Sequence, residues 1–306
     1  MARYLARRIL QAVLILLGVA AVTFALLYLV PADPARIIAG RSATHEAVAL
    51  VRQEMGFDRP LAVRFGAYMW RLAHGDLGRS YLQRTDVTTL LLSRLPATLW
   101  LLFGAIVCEL AIGLPAGVIA SVRQGRVADR GVMTLAFVGV SIPQFVVAIV
   151  LLYVFAAQLN WFPIGGYGGF DHLALPAMTL GILGAGWYSR MMRSSMLEVL
   201  SQDYVRTARA KGASEWRVVL IHALRNAILP IIAMIGLDIG TFMAGTVVVE
   251  SVYGWPGIGQ LTWQAIQQDD IPIIMAVTLL AAVGIVLANL LVDMLAPLID
   301  PRIQLR

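Results

Sequence analysis

The sequence is poor in charged residues and contains a single cysteine, and each shortage excludes a class of protein. Only 14% of its 306 residues are charged, whereas about 25% are charged in soluble domains. Hydrophobic residues make up 59% of the chain, and the mean hydropathy is +0.78. This composition excludes a soluble fold and indicates an integral membrane protein. Because Cys108 is the only cysteine, no disulfide and no cysteine metal site can form within the chain.

Enzyme motifs are missing as well. The sequence contains no GxxxxGK[ST] phosphate loop, no HExxH metal motif and no recognisable nucleophile motif. We therefore expect a chain that is not an enzyme and that binds no metal, nucleotide or other cofactor. All basic residues except Lys211 are arginines, and they are concentrated in loops, so the net charge of +6 gives no reason to invoke nucleic acid.

Six apolar segments are long enough to cross a membrane, since about 20 residues span a hydrocarbon core of roughly 30 Å. They are approximately Ile9–Val30, Thr98–Ala120, Val132–Gln158, Leu173–Met192, Ile228–Val249 and Pro272–Leu295. The third contains Ser141-Ile-Pro143, which predicts a kink. The sequence thus predicts an all-α membrane protein with about six transmembrane helices.

Arginine placement predicts the orientation. Arginines occupy the amino terminus, the link after the second span and the link after the fourth, whereas the links Leu159–His172 and Glu250–Ile271 contain no lysine or arginine. Positive residues favour the cytoplasmic side, so both termini are expected to be cytoplasmic. Residues 31–96 are the exception, because they carry nine arginines on the predicted outer side.

Residues 1–306 are interpreted as one transmembrane domain with four parts. Residues 1–30 form the first span, 31–96 an extracytoplasmic cap, and 97–295 a core of five helices, within which 201–225 form a cytoplasmic segment. Helical spacing of apolar residues in the cap predicts two short helices, over His45–Met55 and Leu61–Ala73.

The cytoplasmic segment has the pattern of helix, sharp bend, helix. Arg209 and Lys211 would lie in a last helical turn, and Gly212 follows where a helix commonly ends in the left-handed conformation. Ser214 is placed to cap a second helix, and Glu215 would favour the positive end of that helix. The bend could dock a cytosolic protein, or it could be a surface helix held by anionic lipid headgroups. The residues assigned to this segment are Arg206, Ala208, Gly212, Ser214, Glu215 and Trp216.

Three acids lie within apolar spans, where an acid is costly and needs a partner, water or a function. Glu109 and Asp238 are near the middle of their spans, and Asp293 is late in the sixth. Each could face a hydrated pathway or form hydrogen bonds between helices. We favour Asp238 for the pathway, because small residues around it allow close approach of a backbone or a ligand: Gly236, Gly240 and Gly245.

The outer link after the fifth span combines aromatic residues with glycines and a proline. It could be an interfacial aromatic belt with a tight turn, or part of an external gate or receptor platform. The candidate residues are Glu250, Tyr253, Trp255, Pro256 and Gly257.

Short motifs in a fixed order carry a resemblance to a known family. They are Met55–Leu61, Gly75–Ser80, Leu95–Leu99, Ser141–Pro143, Asp203–Gly212, Leu224–Pro230, Trp255–Gly259 and Asp300–Ile303. Together they resemble, almost end to end, the membrane permease subunit of ABC importers in the peptide, nickel and glutathione group. The family's cytoplasmic signature is Glu-Ala-Ala, three residues, then Gly. Here Arg206-Thr207-Ala208 precedes Gly212, so the signature glutamate is absent and only the last alanine and the glycine agree.

The resemblance implies a type I importer permease in the bacterial cytoplasmic (inner) membrane, with residues 201–225 as its coupling segment. It implies a homologous second permease subunit, two cytosolic ATPase subunits that bind ATP and Mg, and an extracytoplasmic substrate-binding protein, besides the surrounding membrane lipid. Dipeptides or oligopeptides are the favoured substrates, with glutathione or nickel chelates as alternatives. A rival hypothesis is an ion-coupled secondary transporter that uses Asp238 and Glu109, although no internal repeat supports it.

Overall fold

The computed structural model describes residues 2–29, 33–40, 42–243 and 246–299, and these are almost entirely helical. In chain order the helices are α1 (Ala2–Leu29), α2 (Pro34–Ala39), α3 (His45–Glu54), α4 (Leu61–Ala73), α5 (Val87–Val122), α6 (Val127–Ser141), α7 (Gln144–Leu151), α8 (Phe170–Leu200), α9 (Asp203–Ala210), α10 (Glu215–Arg217), α11 (Leu224–Ala227), α12 (Leu229–Met243), α13 (Val247–Val252), α14 (Ile258–Gln267) and α15 (Ile271–Ile299). The π-helical stretches Leu152–Gln158 and Val218–Ala223 extend α7 and join α10 to α11. No β-strand forms within the described ranges.

Three described helices are long and apolar enough to cross a membrane alone, over Ala6–Leu26, Val87–Val122 and Ile271–Met294. Two bent pairs pass the same test when each is taken as one span: α6 with α7, and α10–α11 with α12. These five cover the predicted spans except the fourth. That span lies within α8, a continuous helix of 31 residues that carries polar and charged residues near its end.

The predicted kink in the third span is a sharp break. Helix α6 ends at Ser141 and α7 begins after Pro143, with an angle of 101° between the two halves. A proline removes a backbone donor and restricts the residue before it, so Ile142 takes an extended conformation (ψ 129°). The predicted kink is therefore confirmed, and it is sharp enough to divide the stretch Val132–Gln158 into two helices.

The centre of the molecule is the packing of α5 against α8. Glycines let the two helices approach closely: an added Cβ at Gly113 would lie 2.6 Å from Tyr188 Cβ, and one at Gly117 would lie 2.6 Å from Met192 Cβ. Around this pair the buried cluster extends to α7, α12 and α13, and includes Leu101, Leu175 and Phe242. Small residues at the crossing thus replace side-chain interdigitation with close contact between backbones.

The two predicted cap helices are confirmed as α3 and α4. Helix α4 packs on the ends of α1 and α15 through Tyr68, which lies in one buried cluster with Phe24 and Met275. Helix α5 begins at Val87 and continues through Pro96, so it starts before residue 96, where the sequence analysis ended the predicted cap.

Candidate functional site

The bend between α9 and α10 has the geometry that the sequence predicts. Gly212 has φ +80°, the left-handed conformation that favours glycine. The Gly212 N–H donates to the Arg209 carbonyl at 2.9 Å, and the Ala213 N–H donates to the Ala208 carbonyl at 3.2 Å. These two bonds form a Schellman motif, which satisfies the last carbonyls of α9 and turns the chain sharply. An added Cβ at Gly212 would meet no atom within 4 Å, so only the backbone conformation requires glycine there.

A salt bridge closes the bend. The Arg209 guanidinium donates to both carboxylate oxygens of Glu215, at 2.8 Å from Nε and 3.2 Å from Nη2. The sequence analysis named both Arg209 and Glu215 but did not pair them, because i to i+6 across a glycine bend is no regular helical spacing. Ser214 occupies the N-cap position but makes no side-chain cap hydrogen bond, so that part of the prediction is wrong. The Arg209–Glu215 salt bridge supplies part of the conformational restraint that an N-cap hydrogen bond would give.

One face of this bent pair is seated on the helix bundle and the other is exposed. Val205 and Val218 are completely buried, and Val219 joins a cluster that contains Met192 and Met196 of α8. On the opposite side Trp216 is 73% exposed. Arg206 is also exposed, and its ion pair with Asp203 at 3.5 Å lies in solvent. The surface therefore presents a large aromatic ring and basic side chains on an element fixed to the bundle.

A cavity lies beside this surface, where the ends of α5 and α8 meet the bend. Its volume is about 400 Å³, and its wall includes Gln124, Arg126, Leu197, Arg209 and Glu215. Polar atoms dominate that wall. The cavity next to the bend can thus receive a protruding side chain of another protein.

The intramembrane acids Glu109 and Asp238 are brought together with a residue that the sequence reasoning missed. The Tyr188 hydroxyl of α8 donates a hydrogen bond to the Asp238 carboxylate of α12. Glu109 of α5 is 2% exposed and packs on Gly184, where an added Cβ would lie 1.9 Å from Oε1. Tyr188 thus links α8 to α12, and Glu109 of α5 packs against α8 one turn earlier, at Gly184. Tyr188 could have been found by asking which hydroxyl on a neighbouring span lies at the depth of Asp238.

The two described glycines near Asp238 contact α15. An added Cβ at Gly236 would lie 2.3 Å from Val292 Cγ2, and one at Gly240 would lie 2.8 Å from Ile285 Cγ1. Both positions are buried, and they allow α12 and α15 to pack closely. Helix α15 fills the space beside them, which agrees with the close approach of another backbone that the sequence allowed, and their role as substrate-path residues stays a prediction. Gly245 lies outside the described residues, and Asp238 remains the candidate for the path.

The third acid, Asp293, is paired. Its carboxylate accepts a salt bridge from the Arg8 guanidinium of α1 at 2.5 Å. This ion pair joins the first and last long helices. It agrees with the interpretation of Asp293 as a link between helices.

Most of the candidate residues between Glu250 and Gly257 are buried, which argues against the alternative of a receptor platform, while a role as a gate stays a prediction. Glu250, Tyr253 and Trp255 are 0%, 2% and 1% exposed. Gly257 is buried as well, and Pro256 is half-buried. The chain itself therefore covers the side chains of Glu250, Tyr253 and Trp255.

Glu250 is the centre of a hydrogen-bond network, here called the Glu250 network. Its carboxylate accepts from the Gln260 N–H at 2.8 Å, the Thr98 hydroxyl at 3.3 Å and the Thr246 hydroxyl at 3.4 Å. Desolvation on burial raises the pKa of this carboxyl, although the hydrogen bonds partly oppose the shift. An added Cβ at Gly257 would lie 2.4 Å from the carboxyl carbon, so glycine is needed beside the acid.

Two aromatic residues extend the network to other helices. The Trp255 indole N–H donates to the Ala97 carbonyl of α5 at 2.9 Å. The Tyr253 hydroxyl bonds Thr179 of α8 at 2.9 Å and the Ala148 carbonyl of α7 at 3.1 Å. The turn between α13 and α14 is thereby tied to α5, α7 and α8.

Sequence comparison identifies relatives along the whole chain. A family model described as binding-protein-dependent transport system inner membrane component matches residues 113–305, and a model of its N-terminal part matches residues 1–102. The glutathione transport system permease protein GsiC of Salmonella typhimurium strain LT2 is 42% identical over 304 residues, covering 99% of both chains. The protein of the same name from Escherichia coli strain K12 is 41% identical over the same length and coverage.

Solved structures with the same fold are more distant in sequence. An inward-facing structure of the MetNI methionine ABC transporter has a TM-score of 0.60 at 20% identity, over 69% of this chain and 96% of that one. An amino acid ABC transporter solved with histidines has a TM-score of 0.52 at 17% identity, over 68% and 94% of the two chains. At these identities the likeness concerns the fold alone.

Proposed function

Because this chain belongs to the family of binding-protein-dependent transport system inner membrane components, and is the permease component of an ABC importer, we propose that it transports glutathione. The observation that carries this proposal is the 42% identity to a glutathione permease across 99% of both chains. Sequence reasoning favoured dipeptides or oligopeptides. Glutathione, the alternative there, is better supported. An ion-coupled secondary transporter no longer competes, since the family works with binding proteins.

The substrate proposal is tested by competition. Cells that lack other glutathione uptake systems would express this chain with its complete importer, and uptake of radiolabelled glutathione would be measured with unlabelled competitors. We expect reduced glutathione to abolish the signal and a dipeptide or a nickel chelate to leave it unchanged. If a dipeptide competes and glutathione does not, glutathione is the wrong substrate even though the importer class stands.

The chain works with partner subunits that bind the nucleotide and deliver the substrate. A homologous second permease subunit completes the pore, two cytosolic ATPase subunits bind ATP and Mg²⁺, and an extracytoplasmic binding protein delivers the substrate. The bend at Gly212 faces the cytoplasm and docks an ATPase subunit. Its exposed Trp216 supports this role, since tryptophan in a partner's pocket is a frequent source of binding energy.

The packing of the bend against α8 supports a path by which movement of the ATPase subunits reaches the membrane helices. Val219 lies in one buried cluster with Met192 and Met196, so a displacement of the docked segment pushes on α8. Helix α8 in turn holds α5 by close packing and α12 by the hydrogen bond from Tyr188 to Asp238. Closure of the ATPases on ATP would thus rotate α8 with its neighbours and change the shape of the path at Asp238.

A further inference from the structure

A further cavity lies in the region predicted as the cap, away from the residues assigned to transport. Its volume is about 580 Å³, and it opens between α4, the loop after α4 and the first turn of α15. The loop is held in place by Asp270, which is 2% exposed and accepts from the Ser80 hydroxyl at 2.5 Å and the Tyr81 N–H at 3.3 Å. A buried acid therefore fixes the wall of this cavity.

The cavity has an apolar floor and a basic rim. The floor contains Pro272, Met275 and Ala276, which belong to the outer turns of a helix that crosses the membrane, together with Met55 and Leu77. The rim carries three arginines, Arg71, Arg79 and Arg84. One acid, Asp76, is also on the wall, and its carboxylate accepts the Gly78 N–H at 2.8 Å. The rim therefore remains positively charged.

The rim arginines have little to neutralise them. Within the described part of the chain, no hydrogen bond or ion pair engages the guanidinium of Arg71 or Arg84. The Arg79 guanidinium donates to the Arg84 carbonyl at 2.7 Å and lies 3.5 Å from the Asp86 carboxylate, and the Arg79 and Asp86 side chains are both 70% exposed. These residues belong to the nine cap arginines that the orientation rule leaves unexplained. An anion from outside the chain would explain their position.

The cavity lies beside the ends of two long apolar helices. Helix α4 packs on the ends of α1 and α15, both of which are long apolar helices. It also exposes Leu61, Val63 and Trp70, at 46%, 51% and 70%. A short helix with exposed apolar residues and a tryptophan is typical of the interface between headgroups and acyl chains.

We propose that this cavity binds an anionic phospholipid on the membrane face opposite the α9–α10 bend. The phosphate lies among Arg71, Arg79 and Arg84, and the first part of an acyl chain lies along Pro272, Met275 and Ala276. A lipid matches both the charge of the rim and the apolar floor, whereas a small hydrophilic anion would leave the floor uncovered. The bound lipid tethers the cap to α15, and this holds whatever substrate the importer carries.

The test uses the complete importer in nanodiscs of equal parts phosphatidylglycerol and phosphatidylcholine, followed by native mass spectrometry of the complex released from them. We expect phosphatidylglycerol to remain bound in preference to phosphatidylcholine. Each arginine near a membrane surface contributes about a fivefold preference for anionic lipid, so Arg71→Gln and Arg84→Gln should each lower the retained ratio by about fivefold. Arg71→Lys, which keeps the charge, should retain most of the preference.

The matched control is Arg36→Gln, which removes an exposed cap arginine outside the cavity and should leave the ratio unchanged. An equal fall in this control would reduce the effect to general surface charge and overturn the site. Displacement of the lipid by reduced glutathione would identify the cavity as a substrate site instead, and displacement by inorganic phosphate would show that the apolar floor contributes nothing. Either result contradicts the proposal.

Discussion

At the scale of single residues, the molecule depends on polar groups at positions where an apolar side chain would cost less free energy to bury. Asp238 and Glu109 lie in helices that cross the membrane, and Glu250 is completely buried. The sequence identified Asp238 and Glu109 because a carboxylate in an apolar run is conspicuous, and it identified Glu250 as part of the outer link that is rich in aromatic residues and glycines. It could not identify their partners Tyr188 and Thr98, because hydroxyl groups are common in spans and only the fold brings these two to the acids.

The charge of Asp238 can be tested separately from its hydrogen bond. Asp238→Asn keeps an acceptor oxygen for the Tyr188 hydroxyl but removes the charge, so we expect assembly to persist while uptake falls by about tenfold, roughly 1.4 kcal/mol. Uptake of labelled glutathione and copurification of the complex are the two measurements. Tyr188→Phe, which removes the donor and leaves the charge, is the paired variant. Normal uptake by Asp238→Asn would assign Asp238 to packing alone.

The Glu250 network should carry stability. Glu250→Ala removes the acceptor for one backbone N–H and two hydroxyls in a buried site, and we expect a loss of about 3 kcal/mol. The melting temperature of the purified protein in detergent measures this loss. Ser251→Ala changes the exposed neighbour and should melt like the parent chain. Equal melting temperatures for Glu250→Ala and the parent would show that the network is dispensable.

At the scale of elements, the sequence predicts features that depend on neighbouring residues, but it does not predict those that depend on contacts between distant residues. The helix, glycine, helix pattern around Gly212 and the cap helices α3 and α4 are confirmed, because helix ends and apolar spacing are encoded within a few residues. The 101° break after Ser141 was recognised as a kink but not as a change of direction. The burial of Glu250–Gly257 was missed because it depends on contacts with α5, α7 and α8, which are distant in sequence.

Substitutions of Gly212 separate the effect of the backbone conformation of the bend from the effect of an added side chain. Gly212→Val should impair the bend, because a β-branched residue resists φ +80° even though free space surrounds the Cβ. Gly212→Asn is the matched control, since asparagine tolerates this conformation. We expect Gly212→Val to insert normally but to copurify less ATPase or to uncouple ATP hydrolysis from uptake. Identical behaviour of the two variants would mean that the bend is not the coupling site.

Trp216 tests the exposed face of the same element. Trp216→Ala should reduce copurification of the ATPase subunits by tenfold or more, because truncating a tryptophan buried at an interface often costs about 2 kcal/mol or more. Trp161→Ala removes another exposed tryptophan, 66% exposed and distant from the bend, and should have no effect on copurification. A loss of similar size in both variants would point to membrane anchoring by tryptophan in general.

At the scale of the whole molecule, arginine placement predicts the orientation in the membrane, and labelling of single cysteines measures it directly. In a Cys108→Ala background, single cysteines at Gln124 and Ser214 should react only from the cytoplasm, and a cysteine at Gln267 only from outside. All three positions are exposed. Labelling of Ser214→Cys from outside in intact cells would reverse the orientation and remove the docking role of α9–α10.

The central claim is that ATP hydrolysed by partner subunits drives glutathione import through this chain, and transport by the purified complex tests it most directly. Proteoliposomes would contain the complete importer, ATP inside and glutathione-loaded binding protein outside. The account predicts that uptake requires ATP, disappears with vanadate and is unaffected by a protonophore. Uptake that proceeds without ATP and collapses with the proton gradient would contradict it.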